Sequence, residues 1–415
     1  MNLAWVSLGA LAVAVTISCV SRLNVGLLSI VFAWIIGVYL AGMGVRDVMA
    51  GFPVNLFLTL CGVTLLFTQA QVNGTLDKVA RWAVSGCRGN VGLIPIVFFF
   101  LAATLASMGP GNIATAALIA PMAMAVGSRA GISPFLMAIM AGNGANAGSL
   151  SPFAPTGVIV NGIMAGIGLG GHEWLTYRNN LVAHAAVAFA GYFLFGGWRL
   201  FRRTYPGRGL PSEAATTPEF DARNWITLAI ILTLVAGVIF FDVNVGAGAF
   251  AGAVLLALIR ATDEGEAIRS MPWGVILMVC GVTVLIAMLE KTEGMDLFTS
   301  ILARISTTRT VTGVVAFVTG LISVYSSTSG VVLPAFLPTI PGLVARLDGA
   351  NALAVASSMN VGAHLVDVSP LSTIGALCLA SVSDSERARS LFYKLLAWGL
   401  SMSVVGGVVC YLFFG

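Results

Sequence analysis

Apolar runs recur along the chain at about 3–20, 25–43, 53–70, 91–107, 111–127, 134–168 (interrupted) and 181–198. They recur again at about 225–241, 245–260, 272–289, 311–325, 330–345, 350–380 (interrupted) and 391–414. Runs of this length, almost free of charge, predict helices that cross a bilayer. Between the third and fourth runs of each set lies a short amphipathic piece, about 75–86 and 295–305, expected at the membrane interface. One extended polar stretch, Arg199 to Asn224 with Pro206, Gly207, Gly209, Pro211 and Pro218, separates the two sets and reads as a linker. The pattern therefore divides the chain into a first repeat (1–203), a cytoplasmic linker (204–224) and a second repeat (225–415).

The two sets match in sequence as well as in spacing. Asn24-Val25-Gly26 recurs as Asn244-Val245-Gly246, and Cys61-Gly62-Val63-Thr64 as Cys280-Gly281-Val282-Thr283. Pro121 corresponds to Pro338, and Ser151-Pro152 with Gly157 to Ser369-Pro370 with Gly375. The offset stays between 217 and 220, which chance similarity of Gly-rich helices would not maintain. Each half then reads as five transmembrane segments, one of them broken, plus a re-entrant hairpin over 91–127 or its counterpart. With the N-terminus outside, this count puts the Arg199, Arg202, Arg203 and Arg208 cluster and most other basic residues in the cytoplasm. An odd number of crossings per half makes the repeats inverted. Inverted repeats with broken helices are a signature of secondary transporters, with the site near the midplane.

Composition agrees. Hydrophobic residues make up 58% and charged residues 9% of the chain, where a soluble domain has roughly 25% charged. With a mean hydropathy of +0.96, the expected class is an all-α polytopic membrane protein. The net charge of +4 comes without a basic-aromatic patch suited to nucleic acid. Six scattered cysteines form no CxxC pair, so neither zinc nor a disulfide framework is expected. The first apolar run lacks a basic leader and reads as a retained helix.

Chemistry concentrates where the apolar runs break. Ser107-Met108-Gly109-Pro110-Gly111-Asn112-Ile113-Ala114-Thr115 separates two uncharged stretches. Pro and Gly there stop one helix and restart another. Irregular backbone at membrane depth is tolerated only inside protein or along a wet cavity, and a restarted helix aims free N–H groups and a positive dipole end at an anion. A short surface loop is the plainer alternative. Three more breaks follow, at Asn143 to Gly157, Ser326 to Gly330 and Asn360 to Gly375. Their hydroxyls, amides and freed carbonyls suit a small hard cation, and their N–H groups a carboxylate. No Arg or Lys falls inside an apolar run near them, so an anion would be held by dipoles, polar groups and co-bound cations. His364 and Asp367 are the ionisable residues of the last break. An acid at this depth is a functional candidate, for a cation or a proton, against the plainer reading of a loop-shaping carboxylate. His184 reads as a packed, hydrogen-bonded histidine, and the His172-Glu173 pair lacks the second histidine of a zinc helix.

The stretch Ser107 to Leu118 with Pro121 resembles the first hairpin tip of the divalent anion/sodium symporter family, which carries Ser-Asn-Thr before an Ala-rich helix and Pro. Within the same ion-transporter superfamily, the whole chain is most similar to the MatC-type dicarboxylate carriers. The resemblance implies inverted repeats, re-entrant hairpins, a homodimer, elevator-like motion, dicarboxylate substrates and sodium coupling. Carried over, Gly111-Asn112-Ile113 occupies the first Ser-Asn-Thr and Thr328-Ser329-Gly330 the second, while Ser107 matches a cation-ligand serine. The loops from Asn143 and Asn360 would complete two cation sites. The chain departs from the pattern in three ways: one motif lacks its Asn, Ile113 has no hydroxyl, and Asp367 is extra. Proton coupling through Asp367 therefore stands beside sodium.

The expected activity is secondary active transport of a small dicarboxylate of the malonate, succinate or malate type, with sodium or a proton as coupling ion, no other cofactor and no enzymatic activity. The expected substrate-binding residues are Gly111, Asn112, Ile113, Thr115, Thr156, Thr328, Ser329, Gly330 and Thr373. The expected coupling-ion residues are Ser107, Asn112, Asn143, Asn146, Ser327, Ser329, Asn360, His364 and Asp367. The partners are the substrate, the lipid bilayer and a second copy of the chain. The location is the bacterial inner membrane, with both termini periplasmic. A cation/proton antiporter or oxyanion exporter on the same scaffold is the alternative. An intramembrane enzyme would need a partner for His364 and Asp367 from the first half, and a passive channel fits four buried breaks less well.

Overall fold

A computed structural model describes residues 2–20, 23–85, 90–203, 219–241, 243–324, 327–382 and 385–415. Among these, every regular element is helical, and the chain is an integral membrane protein. The helices Val54–Val72, Gly111–Arg129, Trp273–Lys291 and Glu386–Phe414 and the segment Thr328–Arg346 are long and apolar enough to cross a bilayer. The amphipathic pieces form the helices Thr75–Ser85 and Gly294–Arg304. Most of the expected linker (204–218) and Ser326 of the second tip lie outside the described residues.

The repeated Asn-Val-Gly motifs have a local explanation. Asn24 caps the helix Val25–Trp34, its Oδ1 accepting from Gly26 N at 2.9 Å, and Asn244 caps Val245–Leu258, accepting from Ala247 N at 3.0 Å. The glycines that follow let backbones cross. Val25–Trp34 packs on Trp273–Lys291, and Val245–Leu258 packs on Val54–Val72. A Cβ on Gly281 would lie 2.6 Å from Gly26 Cα, and one on Gly62 would lie 2.5 Å from Gly246 O. Each half thus contributes the same two motifs, and each motif is completed by the other half. Small residues at such crossings are what membrane helices use to pack closely.

A second body gathers the helices Leu93–Met108, Gly111–Arg129, Pro134–Gly148 and Glu173–Leu194. Their apolar core also takes in Val361, Leu365, Ile374, Leu395 and Met402 from the second half.

The structure corrects three expectations. The long breaks are narrower than expected. Pro134–Gly148 stays helical through Asn143 and Asn146, and Ala352–Leu365 stays helical through Asn360 and His364. Only 149–154 and 366–372 leave the helix. Within the two helices, Asn143 Nδ2 donates to Ile139 O at 2.8 Å and His364 Nδ1 to Asn360 O at 2.8 Å, so each side chain folds back on the carbonyl four residues earlier while the helix runs on. The run at 330–345 is not one helix. Pro334, Pro338 and Pro341 divide it into π, α, 3-10 and α pieces, whereas the lone Pro121 is absorbed within Gly111–Arg129. The run at 25–43 turns from α to π over Ile35–Leu40, and two short helices, Val45–Met49 and Glu264–Ser270, were not expected.

Candidate functional site

The first tip is made by two glycines. Leu93–Met108 ends at Gly109, whose φ of 141° is open to few other residues, and a Cβ there would meet the ring of Phe67. Pro110 caps the restart, and Gly111–Arg129 begins with φ 75° at Gly111. This places Asn112 in the first turn, buried, with Nδ2 donating to Asn146 Oδ1 at 2.9 Å and Oδ1 accepting from Ile113 N at 3.1 Å.

The second tip is capped differently. Ser327 Oγ accepts from Gly330 N at 3.1 Å, starting the π segment Thr328–Val332. Thr328 Oγ1 donates to Asp367 Oδ1 at 2.6 Å, and its hydroxyl also meets that of Ser323. Thr328 has one proton, and the charged acceptor takes it, leaving Ser323 to donate. In the break 366–372, Ser372 Oγ donates back to Ser369 O at 2.8 Å and to Asp367 O, and the next helix starts at Thr373.

These pieces meet. A cavity of about 170 Å³ is lined by Asn112, Ile113, Ser327, Thr328, Ser329, Asp367, Leu371, Ser372, Thr373 and Ile374. Three helical starts, at Gly111, Thr328 and Thr373, border it, so their positive dipole ends and early N–H groups favour negative charge there. Among the described residues, no Lys, Arg or His lines it.

The other expected residues lie outside that wall. Gly111 sits against Pro155, Gly330 packs beside Met278, and Thr115 and Thr156 are buried. Behind Asn112 lies a polar layer. Asn146 accepts from Asn112, and its carbonyl accepts from Asn180 Nδ2 at 2.7 Å. Asn143 Oδ1 accepts from His184 Nδ1 at 2.9 Å. Ser107 Oγ is bonded to Tyr177 Oη at 2.9 Å, and Ser107 O accepts from Ser151 Oγ at 2.7 Å. Asn360 donates weakly to Met164 Sδ at 3.7 Å. Ser107, Asn143 and Asn146 lie outside the cavity wall, whereas Ser327, Ser329 and Asp367 line it and present hard oxygen ligands there.

Sequence reasoning missed Leu371, Ser372 and Ile374 in the wall and Tyr177 and Asn180 in the layer behind. Asn180, beside Asn179 in the helix Glu173–Leu194, carried a signal; the two apolar wall residues carried none. A larger cavity of about 910 Å³, between 52–59, 158–167, 243–245 and 283–290, is mostly apolar, has the carboxylates of Glu173 and Glu290, and contains none of the expected site residues.

Residues 1–149 match the family described as the dicarboxylate carrier protein MatC N-terminus. Two uncharacterized transporters of Mycobacterium tuberculosis, from strains CDC 1551 / Oshkosh and ATCC 25618 / H37Rv, are each 24% identical over 385 residues, covering 87% of this chain and 85% of theirs. The matches point to a transporter. In fold, the chain is similar to the crystal structure of the Alcanivorax borkumensis YdaH transporter, with a TM-score of 0.56 at 14% identity, covering 99% of this chain and 97% of that one. The family match and the relatives speak for a transporter and against an enzyme.

Proposed function

We propose that this protein is a secondary active transporter of small dicarboxylates, of the malonate, succinate or malate class, driven by sodium or protons. One observation carries the reading: Asn112 from the first half and Thr328 and Ser329 from the second line the same cavity, between three helical starts. The match of residues 1–149 to a dicarboxylate carrier family supports the substrate class. Substrate carboxylates would rest on Asn112, Ser329, Thr373 and the free N–H groups, and the coupling cation on Ser327, Ser329 and Asp367. Inverted repeats fit the reciprocal crossings of Gly26 with Gly281 and Gly62 with Gly246, since a two-fold relation produces such exchanged contacts. Elevator-like motion, a homodimer and periplasmic termini in a bacterial inner membrane belong to the same proposal.

A thermal-shift screen of the purified protein against dicarboxylates, with and without sodium at two pH values, tests it. Stabilisation by a three- or four-carbon dicarboxylate is expected. Stabilisation by sodium or protons alone, with dicarboxylates inert, would favour the cation/proton antiporter, which the carboxylate of Asp367 in the wall keeps as the second reading.

A further inference from the structure

The cavity wall shares the charge of its proposed guest. Among the described residues, its one acidic side chain is Asp367, and the rest of its polar lining is hydroxyl and amide. Asp367 Oδ1 is held by Thr328, but Oδ2 receives no hydrogen bond from the described residues. The protons of Thr328 and Ser372 are already committed, to Asp367 and to the carbonyls of the break. The Ser327, Ser329 and Thr373 hydroxyls and the second Asn112 N–H are left as donors. The wall therefore offers several donors and one unfilled anionic acceptor. A fully ionised dicarboxylate matches the donors with one carboxylate and opposes Asp367 with the other, away from bulk water, where repulsion is screened least.

We infer that the species bound is the singly ionised hydrogen dicarboxylate, whose carboxylate takes the donors and whose neutral carboxyl donates its O–H to Asp367 Oδ2. This rests on the dicarboxylate reading, with a proton rather than sodium as the coupling ion at Asp367. The proton rides on the substrate, with the Asp367 carboxylate as its acceptor. His364 on the helix leading into the break and His184 on the neighbouring helix are bonded to Asn360 O and Asn143 Oδ1 and do not line the cavity. Arg129 and Lys394, on other helices packed nearby, also lie outside its wall.

Succinamate separates a fixed donor from a titrating one, since it has one carboxylate and one primary amide at every pH. Competition against labelled succinate uptake in proteoliposomes holding the full-length protein, from mildly acidic to alkaline pH, reads the preference directly. The expected result is that succinate affinity falls by about tenfold per pH unit once the dianion dominates, while succinamate affinity stays constant. Asp367→Asn, whose amide can donate to a carboxylate, should flatten the succinate profile and lose the advantage of succinamate. The wild-type comparison stands even where that variant does not fold. Succinate affinity that holds or rises with pH while succinamate fails to compete would overturn the inference and leave the dicarboxylate reading intact. Failure of both compounds to bind at every pH would overturn that reading and the inference with it.

Discussion

Asn112 Nδ2 donates to Asn146 Oδ1 at 2.9 Å, joining the tip of the first hairpin to the helix that leads into the first break. Both side chains are buried, so the bond sets where the tip's amide points. Asn112→Ala leaves Asn146 Oδ1 without its donor, at a cost of about 1–3 kcal/mol. It also removes a donor from the cavity. Uptake of the preferred dicarboxylate should fall at least tenfold, and wild-type uptake by this variant would remove Asn112 from the site.

Thr328 is the only described side chain that donates to Asp367. Thr328→Val keeps the shape and removes the proton, leaving a buried carboxylate without a partner, which costs about 1.5–3 kcal/mol. Thr328→Ser keeps the hydroxyl and should recover most of the loss. Thermal unfolding of the three proteins in one detergent checks the order, and equal loss in both variants would mean that the methyl, not the hydroxyl, matters.

The glycine crossings make a sharper test of packing. A Cβ at Gly281 would press on the Gly26 backbone, whereas one at Gly9 meets nothing within 4 Å. Gly281→Ala is expected to destabilise by about 1–3 kcal/mol, and Gly9→Ala, within the helix Leu3–Val20, to stabilise by about 0.5–1 kcal/mol. Melting temperatures that move together would contradict the close crossing.

His184 and Asn143 should behave as a pair. His184→Leu strands Asn143 Oδ1 in the interior, and Asn143→Leu strands His184 Nδ1, each costing about 1–3 kcal/mol. The double variant strands neither, so its loss should be smaller than the sum of the two. A fully additive loss in a double-mutant cycle would show that the bond contributes nothing.

The repeated motifs, the apolar spans and the points where helices stop and restart were legible along the chain. These rest on chemistry between near neighbours: Asn24 and Asn244 cap the helix that follows them, Gly109 takes a φ that favours glycine, and uncharged runs must leave water. The sequence also placed Asn112, Thr328, Ser329, Asp367 and Thr373 among the candidates, because polar groups inside apolar runs are costly unless used. Only the tertiary structure decided which of them share a wall. Asn143 and Asn146 turn into their own helix and neighbouring side chains and Asn360 toward Met164, while Leu371, Ser372 and Ile374, within the second-half break, reach the cavity. The cavity draws on both tips but only on the second-half break, an asymmetry that a matched repeat conceals. Which face of a broken helix meets a cavity is set by segments hundreds of residues away, and a local pattern carries no record of them.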